Sequence, residues 1–410
     1  MAQVLKIIYL DVGSYETISQ TFCVTRKVHF KTPAANSKIG LCYEAKYFRL
    51  LIVNYLFLIL FLCSFLVFAN EDKEDTAFKV AFFNPHSPTE YWQGMTTCLQ
   101  RAADDLNVDV SLHFSHEDHH RYITDLEKLL ASEQKPDYVI FKPYKKTARR
   151  FLELGERYHV EMLSIDAEFH GDELKRLKQP RVVFKNWLAH IDYDNYLAGY
   201  DLANYLIIEA KNRNLYNQQN RIDLIGISGP IGDTVAQNRI RGLRQAIAEH
   251  PEVNLFQIVN TIQWRDKEAV RVYEALSRRY SQPQVVWTAA DLFASAINDL
   301  ANENKTFLIG GVDWLDPAIK GVQNGWNSAS LGGNQYLGAW ALVLLYDYHH
   351  KVDFIEQTLN FHLKMEMVTG NNIEDVKTSL NCSTAPFNFR KFSRKLSPKL
   401  SEYNFQILKR

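Results

Sequence analysis

From Phe78 onward the chain alternates short apolar runs with longer segments of helical spacing. The runs Phe78–Asn84, Val108–Phe114, Tyr138–Pro143, Val160–Asp166 and Val182–Trp187 read as strands, and so do Ile222–Ser228, Phe256–Gln263, Val285–Ala289, Phe307–Val312 and Ser328–Leu331. They are rich in Val, Ile and Phe, and several are apolar throughout, as strands buried on both faces of a parallel sheet must be. Between them lie segments such as Trp92–Leu106, whose Met95, Leu99, Ala102, Ala103 and Leu106 share one helical face. Similar segments are Tyr122–Ala131, Thr147–Tyr158, Asn195–Ala210, Val235–His250, Lys267–Tyr280, Leu292–Asn302, Asp316–Asn324 and Gln335–Tyr348. Repeated β–α alternation predicts doubly wound α/β architecture. So many strands form two sheets more comfortably than one, which predicts two Rossmann-like lobes with parallel sheets. Asp192–Asn195 and Gly332–Gly333 read as crossings between them.

Upstream the pattern changes. Residues 50–69 read LLIVNYLFLILFLCSFLVFA, preceded by Lys46 and Arg49 and followed at once by an acidic stretch. A positive flank, an apolar run, a small-residue exit and a polar start describe a secretory signal, with cleavage expected after Ala69 and a periplasmic destination. The run is also long enough to span a bilayer, so an uncleaved anchor is the competing reading. Residues 1–49 carry no periodicity or motif and read as an extension without function, which suggests a natural start near Leu50. The expected division is then 78–193 with 334–361 as one lobe, 194–331 with 362–380 as the other, and 381–410 as a basic tail.

Formal charge is zero over 410 residues, and setting residues 1–69 aside leaves 40 basic and 44 acidic residues. No polyanion is advertised as partner, and nucleic acid is not expected. Beyond the apolar run only Cys98 and Cys382 remain, to pair in an oxidising compartment or to stay as two thiols. The tail from Phe387 carries seven Lys and Arg against Glu402, and reads as a solvated extension on one lobe or a docking surface for a membrane partner.

In open α/β sheets ligands gather at the carboxyl ends of strands. After the first strand come Asn84-Pro85-His86-Ser87-Pro88-Thr89-Glu90-Tyr91-Trp92, and after the fourth comes Asp166. In the second half Ser228-Gly229-Pro230-Ile231-Gly232-Asp233, Trp264, Asp291 and Asp313-Trp314 hold equivalent places, with Arg239 on the helix after Asp233. Carboxylates and Arg bond hydroxyls strongly, and flat rings cover the apolar C–H faces of a sugar. Each residue also has a plain structural use. Asp291 is expected first as a helix cap, Tyr91 and Trp92 can be core, and Arg239 can be a surface residue beside Arg241. Their recurrence at equivalent strand ends favours binding.

These segments resemble the type I periplasmic binding proteins of the ribose and galactose class, with their three-stranded hinge, from about Phe78 to Thr369. Tyr91-Trp92 followed by Ala102-Ala103-Asp104-Asp105-Leu106 is similar to the family's aromatic pair and first helix. Ile165-Asp166 resembles the fourth-strand end, whose Asp binds hydroxyls, but Ala167 stands where ribose binders carry Arg. Asp194-Asn195-Tyr196-Leu197-Ala198-Gly199 resembles the hinge segment. Gly229-Pro230-Ile231-Gly232 and Arg239-Ile240-Arg241-Gly242-Leu243 are similar to the Gly-rich turn and the ligand-binding Arg. Trp264 matches a closing aromatic, Ala290-Asp291 a pair usually written Asn-Asp, and Asp313 a hydroxyl-binding Asp. Gly332 replaces a Gln or Arg.

The resemblance implies a monomer that closes by hinge bending on a small polar ligand, a sugar by expectation. Tyr91, Trp92 and Trp264 would sandwich it, and Asp166, Arg239, Asp291 and Asp313 would bond its hydroxyls. The three departures argue against ribose itself. The partner would be an ABC permease. A sensor kinase is the alternative, since autoinducer-2 receptors share the fold, the Tyr-Trp pair and the Arg. A metal site from His113, His116, Glu117, Asp118, His119 and His120 is a weaker rival. No nucleophile elbow, P-loop or dinucleotide fingerprint is present, so neither an enzyme nor a cofactor is expected.

Overall fold

The computed structural model describes residues 77–408 except 170, 281–282 and 302–305. The apolar run 50–69 and the segment before it lie outside the described residues. The strands are β1 (Lys79–Asn84), β2 (Asp109–Phe114), β3 (Tyr138–Phe141), β4 (Glu161–Asp166), β5 (Trp187–Tyr193), β6 (Ile222–Ser228), β7 (Val253–Asn260), β8 (Val285–Thr288), β9 (Leu308–Val312), β10 (Ala329–Gly332), β11 (Asn360–Leu363) and β12 (Glu366–Thr369). The helices are α1 (Glu90–Leu106), α2 (His119–Leu130), α3 (Ala148–Tyr158), α4 (Gly171–Leu177), α5 (Asn195–Asn212), α6 (Thr234–Glu249), α7 (Asp266–Arg279), α8 (Asp291–Ala301), α9 (Asp316–Gln323), α10 (Leu337–His349) and α11 (Ile373–Val376).

They build two six-stranded sheets, ordered β11-β5-β4-β3-β1-β2 and β12-β10-β9-β8-β6-β7. The pairings are parallel except β10 with β12. Strand order reverses between β1 and β3 in one sheet and between β6 and β8 in the other. These are the switch points where a ligand crevice forms.

The chain passes between the sheets three times: after β5, after β10 and between β11 and β12. The third passage falls at 364–365, two residues beyond the expected boundary, because His362 and Leu363 still pair with Asp192 and Tyr193. The fifth strand also differs from expectation. Val182 and Val183 are exposed, and β5 begins at Trp187. Its apolar pattern is masked by two buried polar residues that satisfy each other. Asp192 is fully buried, 3.3 Å from His190 Nε2 and 2.5 Å from His362 Nδ1 on neighbouring β11. His190 is held in turn by the Ser164 hydroxyl at 2.9 Å.

The hydrogen bond with Asp192 raises the His362 pKa, and the two histidines lower that of Asp192 against the effect of burial. A raised His pKa stabilises the fold below the unfolded value and loses that contribution as pH rises through the folded one. A lowered Asp pKa acts in the opposite direction, on the acid side. The hinge should therefore be firmest from mildly acidic pH to just above the ordinary His range. His362→Ala should flatten the alkaline arm of a plot of melting temperature against pH, and an unchanged alkaline arm would refute the assignment.

The tail is not the solvated extension that its charges suggest. Phe389, Tyr403, Phe405 and Ile407 are buried, and Trp340 of α10 packs on Phe389, Phe392 and Phe405. Helix α10 is apolar on every face, so it needs cover on the side away from the sheet. The tail provides it. Its backbone is tied down by Arg101, which donates to the carbonyls of Cys382, Ala385 and Phe387, and by Asp105, which accepts from the Phe389 N–H. The two cysteines left open by the sequence form the disulfide Cys98–Cys382.

Candidate functional site

The carboxyl ends of both sheets face one cleft, and the lobes meet at its rim. Thr234 Oγ1 donates to the Glu168 carbonyl at 3.1 Å, and the Glu90 carboxylate accepts the backbone N–H of Asp316.

On the first lobe, Tyr91 and Trp92 start α1. The Tyr91 hydroxyl donates to Asp166 Oδ1 at 3.3 Å. Trp92 is buried, stacked on His86 with ring centroids 5.3 Å apart. Asp166 ends β4 in a left-handed conformation, φ 76°, and pairs through Oδ2 with the Lys142 ammonium. That ammonium also lies 5.6 Å from the centroid of the Trp92 ring. Lys142 follows β3 directly, so reading the residue after the third strand would have found it. Ala167, buried next to Asp166, adds no polar side chain here.

On the second lobe, Arg239 is buried rather than on the surface. Its Nε donates to Asn195 Oδ1 at 2.9 Å, one terminal nitrogen donates to the Ala289 carbonyl at 2.5 Å, and the other lies 3.6 Å from Asp313 Oδ1. Two glycines make this reach possible. A Cβ on Gly199 would sit 2.0 Å from the Arg239 carbonyl oxygen, and one on Gly242 would sit 2.0 Å from that of Tyr196. Only bare backbone lets α5 and α6 approach so closely. Asn195 and Asn334, both on the hinge crossings, complete the arrangement. Asn334 Nδ2 donates to Asp313 Oδ1 at 2.7 Å. The sequence places Asn195 in a crossing and Asn334 at the start of the returning first-lobe segment, and neither position advertises its polar role.

Asp291 is not a helix cap. It opens α8, but its Oδ2 accepts from the Ser330 hydroxyl at 2.6 Å and from the Leu315 N–H at 3.1 Å. Burial pushes its carboxyl up to about 8, with the neighbouring Asp313 charge adding to the rise. Burial likewise raises Asp313, to about 6, against the pull of Arg239 and Asn334. A raised carboxyl pKa means that the folded form holds a proton the unfolded chain releases, so the Asp291 contribution to stability is most favourable in acid and falls as pH climbs towards about 8. Asp291→Asn mimics the protonated form. It should keep the fold and reduce the fall in melting temperature between roughly pH 5 and 8, a range that lies between the carboxyl's ordinary value and its value of about 8 in the folded protein. An unaltered slope would contradict the placement.

The Tyr91 hydroxyl is raised well above its ordinary pKa, first by burial and then by Asp166 and Asp313 from opposite lobes, with Arg239 opposing. The two carboxylate–cation pairs, Asp166–Lys142 and Asp313–Arg239, therefore face one another around this tyrosine. Four buried polar atoms at the same sheet edges have no hydrogen-bond partner among the described residues: Asn84 Nδ2, Ser228 Oγ, Asp291 Oδ1 and Asn334 Oδ1.

Trp264 is held at the rim. Its indole N–H donates to Asp233 Oδ2 at 3.1 Å, and its ring lies over the backbone of Gly229 and stacks on Phe293. Gly332 yields its space to Trp314, whose ring atoms would lie 2.3 Å from a Cβ there. The histidine cluster is spent elsewhere. His113 stacks on Phe83, Asp118 caps α2, and Glu117 is bonded to Ser87 and His86. Among the described residues no group of His, Cys, Asp or Glu is arranged to hold a metal ion.

A search among curated proteins finds no match. Among solved structures, a periplasmic sugar-binding protein from Pseudomonas fluorescens is similar at 26% identity, over 80% of this chain and 98% of that one, with a TM-score of 0.70. An ABC transporter solute-binding protein from Actinobacillus succinogenes, solved with D-allose, shares the fold at 16% identity over 72% of this chain and 99% of its own, TM-score 0.60. One from Bacillus halodurans with bound myo-inositol does so at 16% identity over 74% and 99%, TM-score 0.60. The periplasmic binding protein domain matches residues 80–351. With two parallel-sheet lobes, three crossings and a polar cleft, the chain belongs to the periplasmic binding protein family, whose members bind solutes and do not transform them.

Proposed function

We propose that this protein captures a neutral polyhydroxylated ring, a monosaccharide or cyclitol, between its lobes and presents it to an ABC-type permease as a monomer exported through the segment ending at Ala69. The observation that carries the reading is the balance of charge in the cleft. Lys142 offsets Asp166, Arg239 offsets Asp313, and Asp291, raised to about 8, is protonated at neutral pH. A charged ligand would upset that balance in a desolvated site, whereas hydroxyls can donate to the carboxylates and accept from the cations. Tyr91, Trp92 and Trp264 supply flat apolar surface for the ring faces. A ligand that touches both lobes shifts the population towards the closed form, which the permease reads.

The test is a thermal-shift screen of the exported full chain against neutral sugars, cyclitols, sugar acids and amino acids. Binding to the folded form alone raises the melting temperature by mass action. Neutral sugars or cyclitols should shift it. A shift with amino acids or sugar acids alone would replace this reading with another ligand class.

A further inference from the structure

The switch point of the first sheet lies between β1 and β3, and the residues at its carboxyl edge are Asn84 and Lys142. Lys142 is 5% exposed, far more buried than a lysine that serves only solubility. It is paired with Asp166 and sits near the Trp92 ring, so its ammonium is held at the cleft floor between a carboxylate and an aromatic face. An ammonium carries three donors, and one goes to Asp166. Beside it, the buried Asn84 Nδ2 has no partner among the described residues. Donors and an acceptor thus lie side by side at the point where the sheet's own topology opens a crevice.

We infer that Lys142 is a specificity-determining residue: it accepts the ligand jointly with Asp166 through a vicinal pair of hydroxyls, and it keeps cationic ligands out. The inference rests on the sugar reading above and extends it. In a vicinal diol one hydroxyl donates to Asp166 while its neighbour accepts from Lys142. Arg239 and Asp313 on the second lobe repeat the arrangement, cation beside carboxylate, so a ring with two such diols satisfies both lobes at once. A ring in which one of these hydroxyls is replaced by an ammonium brings a second positive charge against Lys142 in a desolvated site. Rejection by like charge of this kind sets specificity without adding a favourable contact. Removing the Lys142 charge leaves Asp166 unbalanced, and an amino sugar can then take the place of the lysine.

The test is calorimetric titration of the full chain and its Lys142→Met and Lys142→Arg variants. The probes are D-glucose, D-galactose, D-allose and myo-inositol, each neutral ring that binds being compared with its amino-deoxy counterpart. The wild type should prefer the neutral ring. Lys142→Met should weaken neutral-ring binding roughly ten- to hundredfold, the size of a lost hydrogen bond to a charged group, and abolish or reverse the preference. Lys142→Arg should keep it. A second variant, Lys142→Gln, removes the charge, keeps a donor, leaves Asp166 unbalanced and should also lose the preference, which keeps the test open if Lys142→Met does not fold. If a neutral ring binds and Lys142→Met leaves its affinity within about twofold, or weakens neutral and amino rings equally, the assignment to Lys142 is overturned while the sugar reading stands. If no ring binds the wild type, the sugar reading falls and this inference with it.

Discussion

Arg239→Ala should weaken ligand binding by about 2–5 kcal/mol, which is a loss of roughly 30- to 5,000-fold in affinity. The size follows from what the guanidinium holds. It is buried and bonds the Asn195 side chain, the Ala289 carbonyl and the Asp313 carboxylate. Truncation takes the guanidinium donors from Asn195 Oδ1 and the Ala289 carbonyl and leaves Asp313 with the Asn334 amide but no cation. Asp313, already up at about 6 through burial, loses the cation that opposes the rise and becomes protonated near neutral pH. The variant therefore loses a donor directly and an anionic acceptor indirectly. Arg239→Lys should recover only part of the loss, because a lysine keeps the charge but not the planar fork that serves several partners. Titration with the sugar that gives the largest thermal shift measures the effect. Asp313→Ala should fall in the same range, and losses below about 0.5 kcal/mol at both positions would put the site elsewhere.

The architecture was legible wherever strands are buried on both faces, since such strands are continuous apolar runs. It was hidden where buried polar residues satisfy one another. Strand β5 carries His190 and Asp192 in its middle, and β11 carries His362, so none of these reads as a core strand although all three residues belong to one hydrogen-bonded group. The carboxylates of the cleft were legible because they follow strands directly, and Lys142 obeys the same rule. Asn195 and Asn334 were not, because their role depends on the hinge bringing them to Arg239 and Asp313 from distant parts of the chain. In the tail the excess of basic residues suggests solvation, while the spacing of Phe387, Phe389, Phe392, Tyr403, Phe405 and Ile407 carries the structural information. What shows that these rings are buried is the all-round apolar surface of α10, an observation about a different segment.

Replacing Cys98 and Cys382 together by Ser should cost about 2–5 kcal/mol of stability, a deficit visible as a lower melting temperature and as a lower denaturant midpoint. The bond joins residues 284 apart, with Cα atoms 5.2 Å from each other, so it closes a very long loop. In the chain-entropy account the loss of freedom in the unfolded chain grows with loop length, and the stabilisation grows with it. Here the bond also starts the tail on its path over α10. Downstream, the fully buried carboxylate of Asp347 accepts from the Ser393 hydroxyl, the Arg394 and Lys395 N–H groups and the Tyr403 hydroxyl. Glu366, at the third crossing, accepts from the N–H groups of Ile407 and Leu408. The tail is thus anchored at both ends, by a covalent bond on α1 and by hydrogen bonds at the hinge. Reduction should loosen the first anchor while the second holds, so the reduced protein should still fold but melt earlier. A reductant that lowers the wild-type melting temperature and leaves the double-Ser variant unchanged would isolate the disulfide as the cause. Equal melting temperatures for wild type and variant would mean that the aromatic packing on Trp340 and the Asp347 cluster hold the tail without it.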